Sequence, residues 1–440
     1  MTPHPPRLAA FRYRDFRLVW IAELNSTTGS QMQTFAVNWH VFQLLRDQTT
    51  TLTLLGHDIH LSAEALGLGG LGLARIIPIV AFSLLGGMMA DAYDRRKLMI
   101  ITRVLAALLG AVLAVLTLTG QATVLTVYLI SALASGLMAF DLPARQSLVP
   151  HLVPPEHLTN AISLQTIIWQ LATIAGPALA GVLIGAGEHV GEAAIGWVYA
   201  LDALLFALAA LTLAFIHYRG QVRAEAMSWH ALKEGMRFTF DTRIIRATML
   251  LDFLATFFSS ARTMLPIVAS DLLGLGAAGY GLLATAQPIG ALLAGGFLAL
   301  RRAIDRQGLV LLVSVGVYGV ATALFGLSTS LILSYILFAL TGAGDTISTV
   351  IRNTIRQVMT PDHLRGRMTG VNMIFATGGP QLGELEAGVV AAALGVPFAI
   401  VTGGLATVIM TAWIAWRYPR LRQSTLRSMV SAEMPPVEGT

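Results

Sequence analysis

The chain has 440 residues, no cysteine, 55% hydrophobic residues before any glycine is counted, and only 12% charged residues. Soluble domains carry about 45–50% apolar residues with glycine included and about 25% charged ones, which excludes an ordinary soluble enzyme; a disordered chain needs the reverse balance. The net charge of +5 would ordinarily raise nucleic acid as a partner, but in so apolar a chain the placement of the charges decides.

Crossing about 30 Å of hydrocarbon takes about 20 mostly apolar residues in a helix. Twelve such runs follow one another, at 18–45, 63–90, 98–118, 124–144, 158–185, 194–216, 244–269, 279–300, 308–327, 331–351, 366–394 and 396–416. None alternates with the period of two that a membrane barrel requires. The expected fold is therefore an all-α membrane protein of twelve transmembrane helices. Residues before the first run have neither an apolar core nor a cleavage site, so the first helix reads as an uncleaved span.

The cations support the count independently. Arg7, Arg12, Arg14 and Arg17 precede the first run; Arg95, Arg96, Lys97 and Arg103 follow the second, and Arg145 the fourth. Six more lie between Arg219 and Arg246, three between Arg301 and Arg306, four between Arg352 and Arg367, and four between Arg417 and Arg427. With an even number of spans these 26 of 29 cations share one face, which the positive-inside rule makes cytoplasmic, with both termini on it. Only Arg46, Arg75 and Arg262 fall elsewhere.

The longest polar stretch, 217–243, divides the chain into a six-helix bundle at 1–216 and another at 244–422, with a polar tail at 423–440. Within the stretch Trp229, Leu232, Met236 and Phe240 recur at helical spacing beside Lys233 and Arg237, as in an interfacial helix or a plain amphipathic linker. The halves repeat each other. Arg17 and Glu23 are echoed by Arg246 and Asp252, Pro78 by Pro288, and Asp94-Arg95 by Asp305-Arg306. Pro155-Glu156-His157-Leu158 returns as Pro361-Asp362-His363-Leu364, and Gly176-Pro177 as Gly379-Pro380.

The run Gly87-Met88-Met89-Ala90-Asp91-Ala92-Tyr93-Asp94-Arg95-Arg96-Lys97 resembles the signature that the major facilitator superfamily carries between its second and third helices. It matches at Gly87, Ala90, Asp91, Arg95 and Arg96 and departs at Ala92 and Asp94. Together with Phe11-Arg12-Tyr13-Arg14-Asp15-Phe16-Arg17, 143–150 and 379–388, it is similar to the branch that holds enterobactin and macrolide exporters. The resemblance implies two pseudo-symmetric bundles rocking about a central site, and export of siderophore-like, macrolide-like or other amphiphilic molecules in exchange for protons. Gly176-Pro177 with Gly181 partly resembles the superfamily's antiporter motif. In physical terms the prolines of Gly176-Pro177 and Gly379-Pro380 remove a backbone hydrogen bond, which offers each helix a place to bend. Asp91 is placed either to latch one access state, by capping a helix or pairing with Arg95, or merely to serve a topogenic charge cluster.

Ionisable groups inside membrane helices are costly and mark function or a partner. The proton-coupling candidates are Glu384, Glu386, Asp202, Asp252 and Glu23. Glu23 and Asp252 either pair with an arginine or serve transport, and Asp202 is either wetted or functional. Glu384 and Glu386, two positions apart, lie on nearly opposite helix faces, so at most one lines a central cavity. A carboxyl group withdrawn from water holds its proton more readily, as a proton carrier must. Arg75 and Arg262 cannot shed charge, so each needs a carboxylate (Asp202 and Glu384 are options), carbonyls or an anionic substrate. Asn25, Gln31, Gln33, Trp39, Gln165, Trp169, Gln170 and Phe257 are candidates to line a cavity for amphiphiles. No phosphate loop, metal cluster or nucleophile triad is legible, so no cofactor and no enzymatic activity are expected.

The expected partners are a small-molecule substrate, protons and the bilayer of the inner or plasma membrane, around a monomer with no nucleic acid. An uptake carrier or lipid flippase of the same fold, or a transport-inactive receptor or scaffold, are the alternatives.

Overall fold

In a computed structural model, residues 8–54, 57–218, 236–301, 304–361 and 364–423 are described. Twelve long helices follow in order: α1 (Arg14–Leu45), α2 (Ala63–Ala92), α3 (Arg95–Leu118), α4 (Val124–Leu148), α5 (Pro155–Ala186), α6 (Ala193–Ala214), α7 (Arg243–Phe258), α8 (Ala277–Leu300), α9 (Gln307–Leu327), α10 (Leu331–Met359), α11 (Arg365–Leu394) and α12 (Val396–Arg417). Each coincides with one apolar run to within a turn or two, except α7. There the run breaks after Phe258 into a 3-10 turn, Ala261–Met264, a single turn, Leu265–Ile267, and a wide π-type turn, Val268–Leu272. Pro266 opens the single turn, where its missing N–H leaves no bond unmade.

Helix ends follow local chemistry. Asp94 accepts hydrogen bonds from the backbone N–H groups of Arg96 (2.9 Å) and Lys97 (3.3 Å), so the signature's departure from the usual residue at this position starts α3. Thr123 and Thr126 cap α4 reciprocally. Gly395, at φ +90°, reverses the chain between α11 and α12 in one residue, a conformation closed to side chains with a Cβ.

The departure from the all-helical expectation is a hairpin between α1 and α2: β1 (Thr49–Leu54) pairs antiparallel with β2 (His57–Ser62), Thr49 opposite Ser62. Its threonine-rich first strand suits an extended backbone, yet it is far too short to register as a membrane span. Of the linker helix, residues 236–241 are helical with Met236 and Phe240 exposed; Trp229, Leu232 and Lys233 lie outside the described residues.

Two compact units emerge. The first gathers α1, α2 from Leu73 onward, α3 to α6 and the opening turns of α8; the second gathers the hairpin, α2 up to Gly72, α7, α8 from Ala286 and α9 to α12. In the first, α3 packs on α6 and α4, and α1 on α5 and α6; in the second, α9 packs on α12 and α10, and α7 on α11 and α12. Adding six to every helix number converts one set into the other, so the sequence repeat is a repeat of packing. One core surrounds Phe16, Met99 and Leu148, the other Leu251, Leu311 and Ile355. Facing away from these cores are apolar stripes such as Leu108, Val112 and Val115 on α3 or Leu125, Leu129 and Leu133 on α4. Exposed runs of this kind aggregate in water and suit lipid.

Small residues set the closest helix contacts. In the first unit α5 meets α8 where a Cβ on Gly181 would stand 2.7 Å from the Cα of Gly281; in the second, α2 meets α11 where a Cβ on Gly69 would stand 2.8 Å from the Cα of Gly388. Gly290 of α8 lies against the carbonyl of Ala339, and Gly342 of α10 against that of Gln287. Valine at Gly290 or Gly342 should cost about 1–3 kcal/mol or more through overpacking, read as a lower melting temperature of the detergent-solubilised protein. Gly316→Ala, with nothing within 4 Å of the added carbon, is the control and should leave melting unchanged or slightly raised.

Candidate functional site

The sequence-flagged acids of the first helix in each half are both held by arginines from other helices. In the first unit Glu23 of α1 is 1% exposed. It accepts from Arg103 of α3 at 2.9 Å and from Arg145 of α4 at 2.6 Å. Arg103 also reaches Asp141 of α4 at 2.9 Å, and Thr102 donates to the other oxygen of Asp141 at 3.1 Å. Asp141 and Arg145 sit one turn apart on the same face of α4, which is why one helix delivers both signs to the network.

The second unit builds the counterpart. Asp252 of α7 pairs with Arg352 of α10 at 2.7 Å, and Arg352 lies 3.7 Å from the half-exposed Asp345 two turns earlier. Arg352 also donates to Thr349 at 2.7 Å, while Arg356 donates to Asn353 at 2.6 Å and to Asn372 of α11. The first network combines two carboxylates with two guanidiniums; in the second Arg352 serves both acids, and Arg356 lies beside it on amide oxygens.

Several expectations change. Arg17 and Arg246 are not the partners of Glu23 and Asp252: Arg17 is exposed and Arg246 donates to the Phe240 carbonyl at 2.9 Å. Arg103, Arg352 and Arg356, assigned by the census to the basic face, are buried. Asp202 is not wetted but 0% exposed; it accepts from Gln33 at 2.9 Å. The option that Arg75 pairs with Asp202 is not realised, since Arg75 donates to Asn38 at 3.3 Å. Arg262 is exposed, in the 3-10 turn after α7.

Glu384 sits in the seam between α2 and α11: a Cβ on Gly72 would lie 2.8 Å from its Cβ and 3.1 Å from its Oε2. Glu386 is half-buried. Asn25 and Gln31 of α1 and Gln165 and Gln170 of α5 are also half-buried, and Trp169 is exposed. Trp39 is buried, stacked with Tyr280, whose ring also lies 4.0 Å from that of Phe35. Phe257 stacks on Phe253 at 5.9 Å. Gly176 packs on Gln31 of α1 and Gly379 on Thr256 of α7, again equivalent places, with Pro177 and Pro380 inside uninterrupted helices.

In the signature, Arg95 donates to the Ser147 carbonyl at the end of α4 at 3.1 Å. Arg96 donates to the Leu213 carbonyl at 3.1 Å and to that of Ala214, at the end of α6. Guanidiniums at helix C-termini satisfy carbonyls that lack helical partners and meet the negative end of the dipole. The surroundings of Gly87 and the side chain of Asp91 lie outside those described. Asp141, Asp345, His40 and Tyr199 escape the sequence reading; an acid and an arginine one or two turns apart within one span was the available signal for the first two.

The profile of the transmembrane secretion effectors matches residues 6–438. The chain belongs to this family of the major facilitator superfamily. It is thus a multi-pass membrane transporter. The enterobactin exporter of Salmonella typhi is 28% identical over 291 residues, 66% of this chain and 68% of that protein; that of Citrobacter koseri is 29% identical over 294 residues with the same shares. Among solved structures, a bacterial homologue of the human lysosomal transporter Spinster superposes with a TM-score of 0.70 at 13% identity, covering 94% of this transporter and 99% of that chain. A D-xylose–proton symporter gives 0.70 at 13%, covering 94% and 100%. These two likenesses show the fold, and the twelve-helix count is consistent with them.

Truncating one partner of a buried pair strands the other. Arg352→Met should destabilise the transporter by about 3–5 kcal/mol, measured by thermal melting in detergent, and adding Asp252→Asn should restore part of the loss.

Proposed function

We propose that this transporter exports siderophore-like, macrolide-like or other amphiphilic small molecules from the cytoplasm in exchange for protons, by alternating access of its two bundles. The observation that carries the reading is the pair of buried ionic networks, Glu23–Arg103–Asp141–Arg145 and Asp252–Arg352–Asp345. Each ties the first helix of its half to the fourth, so each half can move as a body without unmaking its own charge pairs. The relatives named as enterobactin exporters support the direction and the substrate class. The basic face supports an inner-membrane topology with both termini cytoplasmic.

Within this scheme Glu23 and Asp252 are structural anchors, and the coupled proton belongs to Asp202, Glu384 or Glu386. Asn25, Gln31, Gln165, Trp169, Gln170, Phe257, Arg75 and Arg262 supply the polar and aromatic surface that the substrate meets. Gly87, Asp91, Asp94, Arg95 and Arg96 form the switching latch, in which Arg95 and Arg96 hold the ends of α4 and α6 within the moving half.

Inside-out vesicles containing the wild-type protein should accumulate enterobactin or erythromycin when their lumen is acidified, and a protonophore should abolish the uptake. Accumulation only under the opposite gradient would replace export by uptake, movement of a labelled phospholipid instead would favour the flippase, and no movement of any probe would favour the receptor reading. Asp91→Asn should cut this transport while leaving the amount of protein in the membrane unchanged; normal transport would remove the latch.

A further inference from the structure

Asp202 differs from the other buried acids of its unit. Its carboxyl group is fully buried where α6 faces α1 and α3. Gln33 donates to Oδ2 at 2.9 Å, while Oδ1 has no hydrogen-bond partner among the described residues. The group occupies a niche that two glycines leave open: a Cβ on Gly29 of α1 would stand 2.7 Å from Oδ1, and one on Gly110 of α3 would stand 3.0 Å from Oδ2. Two helices give up their side chains to make room for one carboxyl.

Among the described residues Asp202 makes no ion pair; Arg103 is committed to Glu23 and Asp141, and Arg75 is bonded to Asn38. Of the helices packed on α6, α3 offers Gly110 at this level and its charged groups lie at or before Arg103, while α5 has no titratable side chain between His157 and Ala186. From α1 come Gln33 and, two turns further, His40. A carboxylate enclosed by one amide and two glycines has little to stabilise its charge, so the niche suits a group that carries a proton while closed and releases it when water enters.

A second polar pair lies along the same two helices. Tyr199 lies one turn before Asp202 on the same face of α6, and its hydroxyl is 3.2 Å from Nδ1 of His40. Nε2 of His40 has no partner among the described residues and the ring is buried. Gln33–Asp202 and His40–Tyr199 are therefore successive rungs of one seam between α1 and α6, continuing toward the end of α1 remote from its arginine-rich start.

We propose that Asp202, seated between Gly29 and Gly110 and held by Gln33, is the group that binds and releases the coupled proton, with His40 and Tyr199 as the step by which that proton reaches it. The bond formed and broken is the O–H of the Asp202 carboxyl, and the proton passes between it and water on one side of the membrane and then the other. This rests on the proton-coupled reading of the transporter and selects one of its three candidate acids.

Wild type, Asp202→Asn, Glu384→Gln and Glu386→Gln are compared in vesicles by the proton flux that enterobactin or erythromycin elicits. Loss of the flux in Asp202→Asn alone is expected, together with a transport rate that no longer varies between about pH 5 and pH 8; His40→Ala should slow the flux. Coupled flux in Asp202→Asn equal to that of wild type overturns the assignment and leaves proton coupling standing. Transport by the wild type without any proton flux sinks the coupling itself. Should Asp202→Asn fail to fold, a hydrophobic carbodiimide, which forms a stable adduct with protonated carboxyls, is applied to the wild type and mapped by mass spectrometry. An adduct at Asp202 that fades at alkaline pH supports the site, and adducts at Glu384 or Glu386 without one at Asp202 overturn it.

Discussion

A charge enclosed in a helical bundle must be met by an opposite charge or neutralised by a proton, and the arrangement of this transporter follows from that constraint. Glu23 takes the first solution, bracketed by Arg103 and Arg145, and Asp252 takes it again through Arg352. Because each of these charges is met by a partner on another helix, the members are locked together: none can leave without exposing another. The helices that carry them inherit that lock, which holds α1 against α3 and α4 in one half and α7 against α10 in the other.

The same arginines that mark one membrane face also finish the helices there. Arg95 and Arg96 cover the terminal carbonyls of α4 and α6, and Asp94 beside them covers the first amides of α3. Three consecutive residues, Asp94, Arg95 and Arg96, therefore tie three helix ends together. Lysine in place of Arg96 would preserve the charge that sets topology but not the fork that reaches two carbonyls at once.

Most of the fold was legible because hydrocarbon thickness forces long apolar runs, and runs of that length need no tertiary knowledge to be found. The α7 break was not, since Ser259 and Ser260 interrupt the run too briefly to lower its apolar content, and only Pro266 hinted at it. The hairpin was missed for the opposite reason, being too short for a search tuned to membrane spans. At the site, Glu23, Asp202 and Asp252 stand out in sequence as acids in apolar surroundings. Their partners do not, because Arg103 and Arg352 sit near helix ends where they pass for surface cations, and only the bundle reveals that they turn inward. Gly29 and Gly110 carry no sequence signal as neighbours of Asp202, since they come from two different helices.

The interruption of α7 has a further mechanical meaning. Where the helix stops, the Ser259 carbonyl is taken up by the Tyr318 hydroxyl of α9 at 3.1 Å, and the Ser259 hydroxyl meets Thr407 of α12 at 2.8 Å. A backbone carbonyl that a continuous helix would have satisfied itself is thus met by a neighbouring side chain, and a second neighbour holds the serine hydroxyl beside it. The stiffness of this joint is consequently set outside the segment itself, and a shift of α9 or α12 acts on the joint that directly follows the helix carrying Asp252.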